Sequence, residues 1–226
     1  MSQDEAADFR TRTGQARRAR TRSKILTAAF DLFDARGIEK VTVDDIRTAA
    51  GLARGSFYNY FATYEDLLKE MARLIARQIT HEQSVYYDAV PDLAERTWSN
   101  LRYAILRVAS DRPCAEILVR IIPLVGPISD TMRERADRDL ARAIDSGAVK
   151  TPSPDIALDF GYGVATMMLH RSLQGNLSAD DLRAAGLMFL RALGVEEAKA
   201  VRIVRKPLPA MPALPLRGAI ISAPAP

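Results

Sequence analysis

The sequence is poor in the residues from which disulfides and metal sites are built. Its 226 residues include one cysteine, Cys114, and two histidines, His81 and His170. No intrachain disulfide can form, and a zinc site would need mainly carboxylates, so we expect neither a metal nor a cofactor. No apolar run reaches the roughly 18 residues that span a bilayer. The acidic and then arginine-rich start lacks the apolar core of a signal peptide. These absences predict a cytoplasmic protein that does not enter a membrane.

The sequence also lacks motifs of catalysis, and its apolar residues follow a helical pattern. The sequence has no phosphate-binding glycine loop and no serine, histidine and acid arrangement typical of hydrolases. Hydrophobic residues make up 48% of the chain, enough to bury a sizeable core in one or two domains. Apolar residues recur at helical spacing between proline and glycine breaks, which predicts helices at 92–110, 114–122, 128–145, 154–173 and 179–193. We expect an all-α protein without enzyme activity.

The segment from Thr42 to Phe61 carries most of the information about function. Thr42 can cap a short helix, with Asp45 three residues on to complete a capping box. Gly51 follows where the chain must turn, because glycine adopts the left-handed conformation without a steric penalty. A second helix would begin at once, with Phe57 and Phe61 facing inward and the polar residues between them facing outward. This pattern is typical of a helix-turn-helix, whose second helix enters the DNA major groove.

Residues 22–68 resemble the DNA-binding region of TetR-family transcriptional regulators. The matching features are a first helix ending at Gly37, the helix-turn-helix, the Tyr-x-x-Phe ending from Tyr58 to Phe61, and Glu65 and Leu67 at the start of a fourth helix. The resemblance implies a three-helix DNA-binding domain followed by a larger helical bundle. It further implies a homodimeric repressor that binds a palindromic operator of double-stranded DNA and is released by a small, largely apolar effector.

The resemblance also implies roles for individual side chains. Tyrosine and hydroxyl groups would hold phosphates, arginine and asparagine would read base edges, and a glycine would let the backbone approach the DNA. Three positions depart from the family pattern: Arg47 replaces a small alanine, Ala53 a capping serine, and Tyr64 a lysine that meets a phosphate. The predicted DNA-binding residues are Arg20, Thr42, Arg47, Arg54, Gly55, Ser56, Tyr58, Asn59, Tyr60 and Tyr64. Surface tyrosines without a nucleic-acid role are the alternative for Tyr58 and Tyr60.

A basic run precedes the first helix and divides the expected domains. Between Arg10 and Lys24 the chain has seven basic residues and no acidic one. This run either is a solvated, disordered arm or follows DNA phosphates and the minor groove. We expect a flexible basic arm at 1–18, the DNA-binding domain at 19–80, the effector-binding and dimerisation domain at 81–205, and a proline-rich tail at 206–226. Within the DNA-binding domain, a further helix should start after a cap at Thr63 and end near His81.

The last two long helices each carry an apolar stripe that includes glycine. Glycine inside a helix costs about 1 kcal/mol relative to alanine, so close packing should offset it. Packing inside one subunit and close approach across a dimer explain the pattern equally well, and the family resemblance favours the dimer. The predicted dimer interface is Ile156, Phe160, Gly163, Val164, Met167, Leu182, Gly186 and Phe189.

An effector pocket is predicted with less detail, because no residue type names a ligand. Aromatic, aliphatic and methionine side chains of the C-terminal helices would line it, with an arginine to meet an anionic end. These residues are Trp98, Arg102, Tyr103, Leu106, Ile117, Ile121, Met132 and Met167. Plain core packing is the alternative for all of them. Two other functions also stay open: a sequence-tolerant DNA-binding protein without an effector, and a small-molecule-binding protein with a vestigial DNA helix.

Overall fold

The computed structural model describes residues 3–53, 55–87, 90–125, 130–208, 210 and 212–222. In these residues the secondary structure consists of helices, with no strand, as the sequence predicted. No helix among them is long and apolar enough to cross a membrane. The chain divides into two compact units, Met1–Leu68 with Ile221–Pro226, and Lys69–Ile220. The division falls inside one helix, about a dozen residues before the boundary expected from the sequence.

The first unit is built around helix α1 and a short second helix. In chain order its elements are α1 (Gln3–Arg36), a 3₁₀ turn (Ile38–Lys40), α2 (Val43–Ala49), a second 3₁₀ turn (Phe57–Asn59) and the first residues of α3 (Tyr64–Tyr87). Their core is formed by fully or almost fully buried apolar side chains, among them Ile25, Ala29, Phe30, Phe33, Ile46, Phe57 and Leu67. Helix α1 ends where Gly37 takes a positive φ of 78°.

Helix α1 corrects the expectation of a flexible arm at residues 1–18. The helix begins at Gln3 and runs without interruption into the buried stripe that starts at Ile25. The reason is composition, since alanine, arginine and glutamine are good helix formers and the segment has no proline. With 34 residues the helix is about 51 Å long at 1.5 Å per residue. The basic residues 17–20 are therefore exposed on a helix rather than on a coil.

In the second unit, the described residues form the rest of α3 and seven further helices. These are α4 (Leu93–Ala109), α5 (Arg112–Val125), α6 (Asp130–Asp145), α7 (Pro154–Leu173), α8 (Ala179–Ala192), α9 (Glu197–Arg205) and α10 (Leu216–Ser222). The five helices predicted beyond residue 91 correspond to α4 through α8; the predicted start of α6 lies in residues 126–129, which are outside the described residues. Helices α9 and α10 were not predicted. Thr63 caps α3 as expected, since its hydroxyl accepts a hydrogen bond from the Asp66 amide at 3.0 Å.

The core of the second unit centres on the only tryptophan. Trp98 of α4 is fully buried, and its ring lies 6.2 Å from that of Phe189 on α8. A methyl group added at Gly186 would come within 2.4 Å of the Trp98 ring. Gly186 is therefore glycine because the indole occupies the space beside it. Of the two explanations left open by the sequence, packing inside the subunit is the correct one at this position.

A buried ion pair joins α3, α4 and the chain after α9. The Arg107 guanidinium, 2% exposed, contacts the Glu82 carboxylate at 2.9 Å, and the Tyr103 hydroxyl donates to the same carboxylate at 2.8 Å. Burial by itself would raise the pKa of Glu82, but these hydrogen bonds and one from Gln78 lower it below its ordinary value. Arg107 also donates to the carbonyl of Leu214 at 2.9 Å. Glu82 is thus held in its charged form.

Within the proline-rich tail, the described segment Leu216–Ser222 forms a helix that packs against the second unit. Leu216, the first residue of α10, is fully buried, and Ile220 nearly so. The backbone amide of Arg217 donates to the buried carboxylate of Asp111 at 3.0 Å, and the Arg217 guanidinium lies 3.8 Å from it. Prolines before Leu216 disfavour a continuous helix after α9, and the short apolar segment that follows them packs as α10.

Candidate DNA-binding surface and ligand cavity

Helix α2 begins with the capping box that the sequence predicts. The Asp45 amide donates to the Thr42 hydroxyl at 3.2 Å, and the Asp45 carboxylate accepts from the Thr42 amide at 2.9 Å and from its hydroxyl at 2.6 Å. These hydrogen bonds, the one from the hydroxyl first, lower the pKa of Asp45. The Thr42 hydroxyl proton is directed at Asp45, so the cap competes with the phosphate contact predicted for Thr42.

The turn after α2 also agrees with the sequence, but the helix after it does not. Gly51 has a φ of 68°, and the amide of Leu52 bonds back to Arg47 at 2.8 Å. In what we call the recognition segment, residues 52–61, the described residues form only the 3₁₀ turn Phe57–Asn59. Two features explain the shorter element. Ala53 has no oxygen to cap a helix, and the residues from Gly55 to Tyr60 are poor helix formers.

The phenylalanines of the recognition segment are buried, and most of its polar residues are exposed or half-buried. Phe57 is fully buried and Phe61 is 5% exposed. Between them Tyr58 is 59% exposed. Of the other predicted DNA-binding residues here, Gly55 and Asn59 are exposed, Ser56 and Tyr60 are half-buried, and Arg54 lies outside the described residues. The alternation of inward and outward side chains follows the sequence prediction despite the loss of the helix.

Two arginines of α1 contact the recognition segment, and the sequence did not single them out. Arg18 donates to the carbonyl of Asn59 at 3.4 Å, and its guanidinium carbon lies 6.0 Å from the centre of the Tyr60 ring. Arg22, four residues on, lies 5.6 Å from the centre of the Phe61 ring. Residues i and i+4 share a helix face, so this spacing could have identified the pair. The predicted Arg20 is exposed between them.

Arg47 and Tyr64, two of the departures from the family pattern, are engaged within the unit. The Arg47 guanidinium contacts Asp44 at 2.5 Å and its side chain is 25% exposed. Tyr64 donates its hydroxyl proton to the carbonyl of Ile38 at 3.0 Å, and its ring meets Phe33 edge to face. That proton is directed at the 3₁₀ turn, so this hydrogen bond competes with the phosphate contact predicted for Tyr64.

The second unit contains a mostly apolar cavity of about 170 Å³ that is lined by residues of the helices from α3 to α8. Its wall includes Ile75 and Ile79 of α3, Ile105 of α4, and Leu158 of α7. Helix α4 contributes one face to the cavity, at helical spacing: Thr97, Asn100, Leu101, Ala104, Ile105 and Val108. A mostly apolar wall with a few polar groups is typical of small-molecule sites.

Only Met132 of the eight predicted pocket residues lines this cavity. On α4 the prediction chose the wrong face, since Trp98, Arg102 and Leu106 repeat every four residues but lie on another side of the helix. Arg102 instead donates to the carbonyl of Lys206 at 2.7 Å, beyond the end of α9, and Tyr103 donates to Glu82. The other three predicted residues also lie outside the cavity wall. Ile117 and Ile121 are buried, each one position before a lining residue, Leu118 or Ile122, and Met167 is exposed.

Two residues that line the cavity carry buried polar groups without a hydrogen-bond partner among the described residues. They are the side-chain oxygen of Asn100 on α4 and the hydroxyl of Tyr162 on α7. The Asn100 backbone is fixed separately, since its carbonyl accepts from Gln83 at 2.9 Å. Burial raises the pKa of Tyr162, so its hydroxyl is protonated at neutral pH.

The stripe predicted on α7 is exposed, whereas the one predicted on α8 is buried. Ile156, Phe160 and Met167 are 65%, 44% and 55% exposed, and Gly163 has open space beside it. On α8, by contrast, the predicted Leu182, Gly186 and Phe189 pack into the subunit's own core. The α8 prediction selected the inner face because that face is the more apolar. The large apolar side chain that α8 exposes is Met188, at 70%. Val164 is half-buried.

Comparison with known proteins assigns both units to regulators. The family of bacterial regulatory proteins called tetR matches residues 25–71, and the tetracyclin repressor-like C-terminal domain matches residues 92–206. The HTH-type transcriptional repressor Rv3405c of Mycobacterium tuberculosis is 29% identical over 161 residues, covering 70% of this chain and 81% of that protein. The regulator SrpR of Pseudomonas putida is 33% identical over 125 residues, 53% of this chain and 56% of its own.

Solved structures show the same fold. The crystal structure of RolR without ligand has a TM-score of 0.70 and 24% identity, and covers 83% of this chain and 98% of its own. The complex of RolR with resorcinol has a TM-score of 0.64 at 24% identity, and covers 87% of this chain and 98% of its own. Both units described above therefore occur together in proteins of known structure.

Proposed function

This chain belongs to the TetR family of transcriptional regulators, and from that premise we propose that it is a homodimeric repressor released from its operator by a small molecule in the cavity. The family makes it a DNA-binding regulator. The observation that carries the rest is the division of features between the two units. One unit presents exposed polar side chains beside arginines, and the other contains a mostly apolar cavity.

We assign DNA binding to the recognition segment together with the arginines of α1. Tyr58 and Asn59 are exposed, and Tyr60 lies against the Arg18 guanidinium. Tyrosine hydroxyls and arginine are suited to phosphate oxygens, and asparagine to the edge of adenine. The exposed Arg17 and Arg20 extend this basic surface along α1 and add charge that follows the DNA backbone. The base contact assigned to Arg54 remains a prediction from the sequence, because Arg54 lies outside the described residues.

We assign dimerisation to α7 and the outer face of α8. The exposed apolar side chains of α7 recur at helical spacing, and α8 adds Met188. Exposed large apolar side chains that recur along one helix are typical of an interface. Two subunits paired by a two-fold axis would present two recognition segments to a palindromic site.

Release would follow from differential binding of the effector. The cavity wall includes Ile75, Ala76 and Ile79 of α3, the helix that begins at Tyr64 directly after the recognition segment. A ligand that binds better when α3 is displaced shifts the population toward that conformation. The operator and the effector then weaken each other's binding by the same factor.

The test is operator binding by the full-length protein at two salt concentrations. Fluorescence anisotropy would compare the DNA upstream of the protein's own gene with a scrambled sequence of equal length. We expect a specificity ratio of at least about 10³. Equal affinity for both sequences, collapsing as salt rises, would reject an operator-reading repressor at this site and favour sequence-tolerant binding.

Variants separate the two parts of the DNA surface. Tyr58→Ala and Arg18→Ala should each weaken binding to operator and scrambled DNA alike, because both residues are assigned to phosphates, and Arg18→Ala should also reduce the salt slope by about 1. Tyr86→Ala, a partly exposed tyrosine of α3, is the matched control and should leave DNA binding unchanged. Unchanged affinity in both Tyr58→Ala and Arg18→Ala would contradict the assigned surface.

A further inference from the structure

Helix α6 brings one acidic and one basic side chain to the cavity. Its lining residues recur at the spacing of one helix face: Met132, Arg135, Ala136, Asp139 and Leu140. The opposite face of α6 carries exposed residues such as Asp137 and Arg138. Asp139 and Arg135 are therefore on the cavity side of α6, and 16% of each side chain is exposed. In a mostly apolar site, such polar groups determine how a ligand is oriented.

The Asp139 carboxylate can accept hydrogen bonds from a ligand. Its oxygens lie 4.0 Å from Nε of Arg135 and 3.8 Å from Nη1 of Arg96 on α4. Both distances exceed the roughly 2.7–3.2 Å of a hydrogen bond, so the two arginines attract the carboxylate without occupying its lone pairs. A carboxylate that loses its hydration without gaining a donor is costly. A ligand that displaces water from Asp139 must therefore supply a hydrogen-bond donor.

Arg96 holds the surroundings of this carboxylate in place from α4. Its guanidinium donates to the carbonyl of Val90 through Nε at 3.1 Å and through Nη2 at 2.7 Å. The remaining nitrogen, Nη1, is the one nearest to Asp139. Arg96 itself is outside the cavity wall that the structure describes. It therefore positions Asp139 and does not contact the ligand.

The charges beside the cavity disfavour a charged ligand group. An ammonium group would donate to Asp139 but would be repelled by the guanidinium groups of Arg135 and Arg96. A carboxylate would accept from Arg135 but would be repelled by Asp139. A guanidinium has only donors and an ionised carboxylate only acceptors, so the cavity wall offers both roles side by side. A hydroxyl group both donates and accepts without a net charge, and of these three groups it alone suits both side chains.

We propose that the effector is an apolar molecule bearing a hydroxyl group, which donates its proton to the Asp139 carboxylate and accepts from the Arg135 guanidinium. The apolar remainder of the molecule contacts wall residues such as Ile79, Ile105 and Leu158. Asp139 and Arg135 are thus the residues that determine ligand specificity. This assignment rests on the proposed function, since it takes the cavity to be the effector site.

The test uses four probes that share one aromatic ring with a one-carbon substituent. Benzyl alcohol carries the hydroxyl group, toluene no polar group, benzylamine a cation and benzoate an anion at neutral pH. Isothermal titration calorimetry of the full-length protein would measure the affinity of each probe. We expect benzyl alcohol to bind more tightly than benzylamine and benzoate. Benzyl alcohol is then added to the complex with operator DNA.

Two variants test the role of the carboxylate. Asp139→Leu should lower the affinity for benzyl alcohol by about tenfold or more, the value of a hydrogen bond to a charged group, and change that for toluene by less than about threefold. Asp139→Asn keeps the shape and one acceptor and should give an intermediate loss. Toluene binding shows that the variants retain the cavity. Asp137→Asn removes a carboxylate from the exposed face of the same helix and, as the matched control, should leave all four affinities unchanged.

The outcomes distinguish this inference from the proposed function. Benzyl alcohol binding no more tightly than benzylamine or benzoate overturns the inference, and so does an affinity for benzyl alcohol that survives Asp139→Leu. Either result leaves operator binding and the cavity's role as an effector site standing. If benzyl alcohol binds with the expected preference and variant pattern but never releases the operator, the ligand chemistry is upheld and the proposed release is rejected.

Discussion

The contact between Gly186 and Trp98 predicts that the smallest side chain beyond glycine destabilises the protein. An ideal Cβ at Gly186 would lie 2.4 Å from two carbon atoms of the indole and 2.9 Å from its nitrogen. Carbon atoms in contact prefer about 3.5–4.0 Å, so the ring or the helix must move by more than 1 Å. Trp98 is fully buried and has no free space to occupy.

The expected magnitude follows from two opposing terms. Overpacking a tight core costs about 1–3 kcal/mol, and the gain from replacing a helical glycine by alanine is about 1 kcal/mol. Because the displacement is large, we place the overpacking cost of Gly186→Ala at the upper end, leaving a net loss of about 2 kcal/mol. For a chain of this length that lowers the melting temperature by about 4–8 °C.

Gly161→Ala is the matched control, because Gly161 is also a buried glycine inside a helix. Its Cβ would lie 3.5 Å and 3.7 Å from the Phe189 ring, an ordinary contact. The higher helix propensity of alanine should then dominate, and Gly161→Ala should raise the free energy of unfolding by up to about 1 kcal/mol. Both variants and the parent protein would be unfolded in urea at one protein concentration and followed by circular dichroism. A Gly186→Ala protein as stable as the parent would refute the packing argument.

Three further predictions address other parts of the molecule. The pKa of Asp181 is lowered from 3.8 to about 2, chiefly by hydrogen bonds from Ser178. The stability that the charged Asp181 adds to the folded protein is therefore present above pH 4 and is lost as the pH falls toward 2. Asp181→Asn should flatten this acid dependence of stability in a circular-dichroism titration. Ile156→Glu on the proposed interface should yield monomers by light scattering, whereas Leu124→Glu, with an equally exposed apolar side chain on α5, should stay dimeric. Leu216→Ala should cost about 2–4 kcal/mol of unfolding free energy, and an unchanged melting temperature would mean that the tail does not dock.

Local signals in the sequence were sufficient where a few neighbouring residues determine the structure. The capping box of Thr42 and Asp45 and the left-handed Gly51 depend on side chains and dihedral angles within a short segment, and the structure has both. The same holds for α7, whose capping Ser153 and first-turn Pro154 mark its start. The recognition segment was assigned a helix because Phe57 and Phe61 are four residues apart, as on one face of a helix, although its helix propensity is low.

Features that depend on packing between helices could not be predicted from the sequence. Helix α4 is apolar on more than one side, so periodicity could not tell the face of Trp98, which packs against α8, from the face of Ile105, which lines the cavity. The inner and outer faces of α8 were exchanged for the same reason. The docked tail needed the buried carboxylate of Asp111 as its partner, and that residue is more than a hundred positions away along the chain.

The position of Trp98 gives the protein an internal optical probe. It is the only tryptophan in the chain and is fully shielded from water. Its ring lies 6.2 Å from that of Phe189, which lines the cavity. A molecule that enters the cavity and moves Phe189 changes the environment of a single emitter. Intrinsic fluorescence then measures occupancy in the unlabelled protein, independently of whether DNA is bound.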